Sequence, residues 1–120
     1  MPLARASAHV ALNGFDAARH TALDADVIVS VGGGSVMDMC KTMQLCISEQ
    51  VFDRSSLLQL QMKLSADGTE VIAATRTLPR VRQIAIPTTL ATSEWTPVST
   101  PIDEETHLKA RFLTMDGSPR

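Results

Sequence analysis

The amino-acid sequence predicts an α/β fold: part of a parallel sheet flanked by helices, followed by a β-hairpin near the C-terminus. Three observations carry the prediction. The run Val27-Ile28-Val29-Ser30-Val31 is β-branched and lacks polar alternation, as in a strand buried on both faces of a parallel sheet. A second run, Val81 to Ile86, is read as another buried strand. Between them Val36, Met39, Cys40, Met43, Cys46 and Ile47 recur at three- and four-residue steps, the period of a helix of about four turns that packs back on the first strand.

The totals bound what such a unit can do. At 120 residues the chain is one domain at most, able to bury roughly two-thirds of the surface its unfolded form exposes. A formal charge of −2 gives no long-range pull toward nucleic acid or an anionic membrane. Aromatic residues are 3% of the chain, with no Tyr, which leaves little to stack bases upon. Neither nucleic acid nor a membrane is an expected partner. Cys40 and Cys46 lie six apart on the predicted helix, about 240° apart in rotation, and so are read as reduced thiols. With no signal-peptide core at Met1-Pro2-Leu3-Ala4-Arg5 and no membrane-length apolar run, a cytoplasmic protein is expected.

In chain order, Asn13-Gly14 is a turn, and Asp16 to Leu23 is read as a short helix. After the strand 27–31, Ser35 suits a helix N-cap, with Asp38 three residues on resembling the partner of a capping box. Residues 50–80 are ambiguous. Leu58, Leu60, Met62 and Leu64 alternate with polar residues, and Asp67-Gly68 before Val71 to Ala74 would complete a hairpin, yet Leu57 to Leu64 also tolerates a helix. Pro87 ends the second strand because proline supplies no ladder N–H. Val98 to Ile102 and Leu108 to Leu113 then flank a polar turn, Asp103 to His107, as a C-terminal hairpin, and 115–120 forms a loose tail.

Both strands end in loops of unusual composition. The first loop is Gly32-Gly33-Gly34-Ser35; strand, glycine turn and helix in that order present several N–H groups and a positive dipole end to an anion. The second, Pro87-Thr88-Thr89-Leu90-Ala91-Thr92-Ser93-Glu94, crowds hydroxyls at a strand end. If the strands are neighbours, the loops converge on one crevice of the kind where open α/β sheets bind ligands, and a dinucleotide site is expected there. Spacing narrows the class. A Rossmann fingerprint needs glycine where Met37 stands, and a Walker loop needs glycine at Cys40 before Lys41-Thr42. The residues alone leave Asp38 open between structural capping and cofactor contact, and Lys41 is read as pairing with Asp38 or reaching solvent.

The pattern Gly32-Gly33-Gly34-Ser35-x-x-Asp38-x-x-Lys41 resembles the iron-containing alcohol dehydrogenase superfamily. Two further stretches are similar to that family in the same order: Pro87 to Pro97, whose Ser93-Glu94-x-Thr96-Pro97 ending is closer to maleylacetate reductase-like members, and Asp103 to Lys109. The resemblance covers about 20–113. It implies that residues 1–120 form a partial dinucleotide-binding domain, a Rossmann-like sheet lacking the family's helical metal domain. It also implies a cofactor, NAD or NADP, held by Gly33, Gly34, Ser35, Asp38, Thr88, Thr89, Thr92, Thr96 and Lys109. The substrate implied is a small alcohol or carbonyl compound exchanging a hydride with the nicotinamide. A divalent metal, iron or zinc, is expected only in the full family architecture, since His9, His20 and His107 share no ligand spacing. The chain alone is therefore expected to be inactive, with a homodimer or association with a C-terminal domain as its assembly. A catalytically inactive nucleotide-binding remnant or interaction module is the alternative. A dehydroquinate synthase or glycerol-1-phosphate dehydrogenase relative fits the Pro-Thr-Thr loop less well.

Overall fold

A computed structural model describes residues 25–72, 77–103 and 105–114. The expected helix at Asp16 to Leu23, the Asn13-Gly14 turn and the C-terminal tail lie outside these residues. Strand β1 (Val27–Gly32) leads into helix α1 (Gly34–Glu49), then a short helix α2 (Arg54–Gln59), and a small hairpin of β2 (Lys63–Leu64) and β3 (Val71–Ile72). Strand β4 (Arg82–Pro87) follows, then a single 3-10 turn (Thr92–Glu94), and a second hairpin of β5 (Val98–Ser99) and β6 (Phe112–Leu113). The fold is α/β, with one two-stranded parallel sheet and two antiparallel hairpins.

β1 and β4 pair in parallel from Val27↔Arg82 to Gly32↔Pro87. Both loops therefore leave the same edge of the sheet, as the strand-end argument requires. Pro87 has no N–H, and the next residue supplies the missing donor: Thr88 N–H reaches the Gly32 carbonyl at 3.0 Å.

The expectations that β1 is buried on both faces and that β4 is another buried strand are corrected. Ile28, Ser30 and Gln83 lie under α1, while Val29 (40% exposed), Val31 (59%), Ile84 (44%) and Ile86 (50%) share the opposite face and are open. The side of a strand that is covered is set by the elements packed on it, and among the described residues α1 packs on only one side. The covered face is the more polar one. Gln83 Nε2 donates to Ser30 Oγ at 2.8 Å, which gives each of these buried side chains a partner, while Gln83 Oε1 is buried without one.

α1 is longer-sided than its apolar stripe. Every residue from Cys40 to Ile47 is buried, because the sheet, α2 and the second hairpin surround the helix. Its polar residues consequently need partners, and the donors find them: Gln44 Nε2 donates to the Val81 carbonyl at 2.9 Å, and Thr42 Oγ1 to Ser99 Oγ at 3.1 Å, while Gln44 Oε1 stays buried without a hydrogen bond. Cys40 and Cys46 are buried free thiols. Burial pushes the Cys40 thiol up to about 11 and Cys46 to about 12, so both stay protonated at neutral pH. The apolar core joins Ile28, Met43, Leu45 and Ile47 to Leu57 of α2, Val81 and Phe112 of β6. Full burial of Phe112 or Leu57 stabilises the fold by about 2–3 kcal/mol each.

The ambiguous stretch resolves into both readings in succession. Asp53 caps α2 by accepting from Ser56 N–H at 2.9 Å, and Leu57 fixes the helix in the core. Leu58 is thus helical and not part of an alternating strand; the alternation of Leu58 and Leu60 with glutamines is coincidental with one helical turn. The Asp67-Gly68 hairpin is present, with Lys63↔Ile72 and Leu64↔Val71 paired.

Candidate functional site

The site is built where β1 and β4 end. Gly32 has φ +157°, and a Cβ there would lie 2.6 Å from Val36 Cγ2, so only glycine lets the chain fold this tightly into α1. The N-cap is Gly33, extended at φ −84° and ψ −167°, and no side chain caps the helix. This corrects the capping-box expectation. Ser35 is the second helical residue and exposed, and Asp38 stands five residues after the cap, too far along to reach back. The consequence is chemical: the first-turn N–H groups, including those of Gly34 and Ser35, are not occupied by a capping side chain.

The threonine loop packs directly against this turn. A Cβ at Gly33 would sit 2.9 Å from Thr89 Oγ1, and one at Gly34 would sit 3.4 Å from both Ala91 Cβ and Ser93 Oγ. A cavity of about 270 Å³ opens beside them, lined by Gly34, Ser35, Asp38, Ser93, Thr100, Pro101, Ile102 and Lys109. Four sequence-expected residues, Gly34, Ser35, Asp38 and Lys109, share that wall. Gly33 and Thr89 meet just beside it, whereas Thr88, Thr92 and Thr96 are not among the lining residues. Ser93 and Thr100 are additions. Ser93 lies within the quoted loop; Thr100 carries no sequence signal, since it reaches the cavity only through the packing of the second hairpin.

That packing is a polar seam between α1 and β5. Asp38 Oδ2 accepts from Thr100 N–H at 3.0 Å and Thr100 Oγ1 at 2.8 Å. Lys41 is fully buried; its Nζ donates to the Val98 carbonyl at 3.0 Å and stands 3.5 Å from Asp38 Oδ1. Lys41 therefore pairs with Asp38, as the sequence suggested. Burial lowers the Lys41 pKa, and the Asp38 carboxylate opposes that shift. Asp38 Oδ1 has no hydrogen bond of its own, although it is buried at the cavity wall.

Among the described residues no three His, Cys, Asp or Glu side chains form a group that could hold a metal ion. His107 is exposed in the second hairpin's turn. Among the same residues no helix is long and apolar enough to cross a membrane.

Fold and cleft together define a parallel α/β unit with a crevice at its strand ends, the place where open α/β sheets bind ligands. The model of the iron-containing alcohol dehydrogenase family matches residues 5–119, and the chain belongs to that family. Solved structures agree on the fold. An alcohol dehydrogenase from a halo-thermophilic archaeon of a Red Sea brine pool, bound to NZQ, is 20% identical with a TM-score of 0.75 over 98% of this chain and 29% of its own. The iron-containing alcohol dehydrogenase of Thermotoga maritima is 23% identical with a TM-score of 0.66, covering 97% of this chain and 29% of its own. Sulfoacetaldehyde reductase from Bifidobacterium kashiwanohense, in complex with NAD+, is 25% identical with a TM-score of 0.61, covering 94% and 27%. The chain thus spans under a third of each of these structures. No curated protein matches it significantly.

Proposed function

We propose that the chain is the NAD(P)-binding part of a metal-dependent alcohol dehydrogenase that moves a hydride between a nicotinamide and a small alcohol or carbonyl compound. The observation that carries this reading is the register Gly32↔Pro87, which puts an uncapped helix N-terminus and a hydroxyl-rich loop side by side at one sheet edge. Those groups fit a pyrophosphate. First-turn N–H groups and the dipole of a 16-residue helix favour an anion, and Gly33 and Gly34 lack the Cβ atoms that would press on Thr89, Ala91 and Ser93, which lets the second loop lie close beside them. The family membership and the NAD+ complex of the sulfoacetaldehyde reductase support the same cofactor.

In this reading Gly33, Gly34 and Ser35 hold the phosphates, with Thr88, Thr89 and Thr92 closing the loop side. Lys109, across the cavity, donates to the ribose half together with Thr96. Asp38 acts as the tie to Thr100 at the cavity wall, its Oδ2 accepting from Thr100 and its Oδ1 facing the Lys41 ammonium at 3.5 Å. The bound nicotinamide supplies the hydride acceptor or donor. The metal that the family's name implies has no seat among the described residues, so in this reading those residues contribute cofactor binding, and the group that polarises the substrate oxygen is not among them. The activity then belongs to the whole enzyme.

Titration of the purified chain with NAD+ and NADP+, followed by calorimetry and by Trp95 fluorescence, tests this. Saturable binding is expected, weakened about tenfold or more by Gly33→Val, whose side chain enters the space beside Thr89. Alcohol oxidation by the chain alone should be at background. Absence of any heat or fluorescence change at millimolar dinucleotide would sink the proposal and leave an interaction module.

A further inference from the structure

The second hairpin forms one wall of the cleft, and it is held at two points along its length. Near its base the seam of Asp38, Lys41 and Thr42 ties it to α1. At its tip the fastening comes from elsewhere. Arg54, the first residue of α2, donates from Nε to Asp103 Oδ1 at 2.8 Å and from a terminal nitrogen to Asp103 Oδ2 at 2.5 Å. Its other terminal nitrogen reaches Glu105 Oε2 at 3.0 Å. Asp103 in turn organises the loop, accepting from Thr106 Oγ1 at 2.8 Å and from Glu105 N–H at 3.3 Å. The loop backbone closes with Asp103 N–H on the Leu108 carbonyl at 2.9 Å and His107 N–H on the Asp103 carbonyl at 2.7 Å. His107 sits at φ +55°, a left-handed conformation that a residue with a side chain keeps only when its surroundings enforce it.

We infer that Arg54 is a positioning residue for the cleft: its fork on Asp103 fixes the turn from which Lys109 and Ile102 reach the cavity wall. The inference rests on the dinucleotide reading for its functional consequence. The geometry favours it for three reasons. A planar guanidinium meeting a carboxylate at two points sets orientation as well as distance, which a single ammonium does not. Lys109 and Ile102 pair across the hairpin directly beyond the clamped turn, so a shift at Asp103 is passed to both. The platform under Arg54 is firm: Leu57 is fully buried, and Met62 N–H donates to the Arg111 carbonyl at 2.8 Å, tying the end of this segment to the residue just before β6. The stretch 51–62, part of the 50–80 segment that the sequence leaves ambiguous, is thus a strut for the cleft. The Glu105 arm is exposed and adds little.

The test uses Arg54→Met and Arg54→Lys in the whole chain, with amide hydrogen exchange and NAD+ titration as readouts. In Arg54→Met, exchange at the Asp103 and His107 amides should quicken while α1 amides stay protected, and the Kd for NAD+ should rise about fivefold to tenfold. Arg54→Lys should recover less than half of that loss. In a Lys109→Ala background, Arg54→Met should add little, because it acts through the hairpin that carries Lys109. Unchanged affinity in Arg54→Met, or an equal loss with and without Lys109, would overturn the inference. A wild-type chain that binds no NAD+ overturns the dinucleotide reading instead; the exchange measurement then decides the clamp, unchanged rates at Asp103 and His107 refuting it and faster rates sustaining it.

Discussion

The two hairpins have the same secondary structure and opposite standing in the molecule. Each pairs two-residue strands, and each turn is gathered around an aspartate. In the first, Asp67 takes bonds from the Ser65 hydroxyl, the Thr69 hydroxyl and Thr69 N–H, all within two residues. In the second, Asp103 is also held by Arg54, 49 residues away, and Phe112 is buried in the core. The first hairpin's strands are exposed throughout. Local hydrogen bonds suffice to shape a turn, but a hairpin becomes part of a site only when distant residues fix where it points.

The largest effect expected from this contrast is on stability. Phe112→Ala should cost about 3–5 kcal/mol. The same truncation at Ile72, 55% exposed, should stay within about 0.5 kcal/mol. Denaturant unfolding of the two variants measures the difference, and similar midpoints would erase the distinction drawn between the hairpins.

A smaller effect separates local from long-range control of the turns. Gly68 has φ +73° with open space where a Cβ would stand, so Gly68→Ala meets backbone strain of about 1 kcal/mol and no clash. Exchange at the first turn should quicken while NAD+ affinity is unchanged. A loss of affinity would mean that the first hairpin communicates with the cleft.

The smallest effect concerns acid. The Ser65 hydroxyl first, then the Thr69 hydroxyl and amide, bring Asp67 from its ordinary 3.8 to about 2. Arg54 first, with Thr106 and the Glu105 amide, holds Asp103 well below the usual carboxylate range. Both groups bind protons more weakly in the folded state than in the unfolded one. Their contribution to stability is therefore complete above about pH 4 and is lost as pH falls through the folded values. Carboxyl-carbon NMR titration should show Arg54→Met raising Asp103 alone, and Ser65→Ala raising Asp67 alone. A shift of both by either change would contradict independent turns.

Much of the cleft was legible because its signals are local. Glycines at 32–34 after a β-branched run, and proline and threonines after another, announce strand ends and a parallel pairing by composition alone. The Asp67-Gly68 turn and the hairpin around Asp103 were legible for the same reason. Ser35 was misassigned as the cap since a serine before a helical pattern is the usual signal, and Gly33 takes the position because of how Gly32 folds the chain. Thr100 and Arg54 had no readable signal, for each acts through a partner about fifty or more residues away.

The sequence by itself determined the order of elements, the two loops at the strand ends and the family motifs, because backbone sterics, turn chemistry and hydrophobic period act over a few residues. Tertiary structure alone decided which face of β1 and β4 is covered, that Asp38 binds Thr100 and that Lys41 is buried. It also decided that the 51–62 segment braces the second hairpin. Those outcomes depend on which surfaces meet, and a buried charge or hydroxyl is bound to whatever partner that meeting supplies.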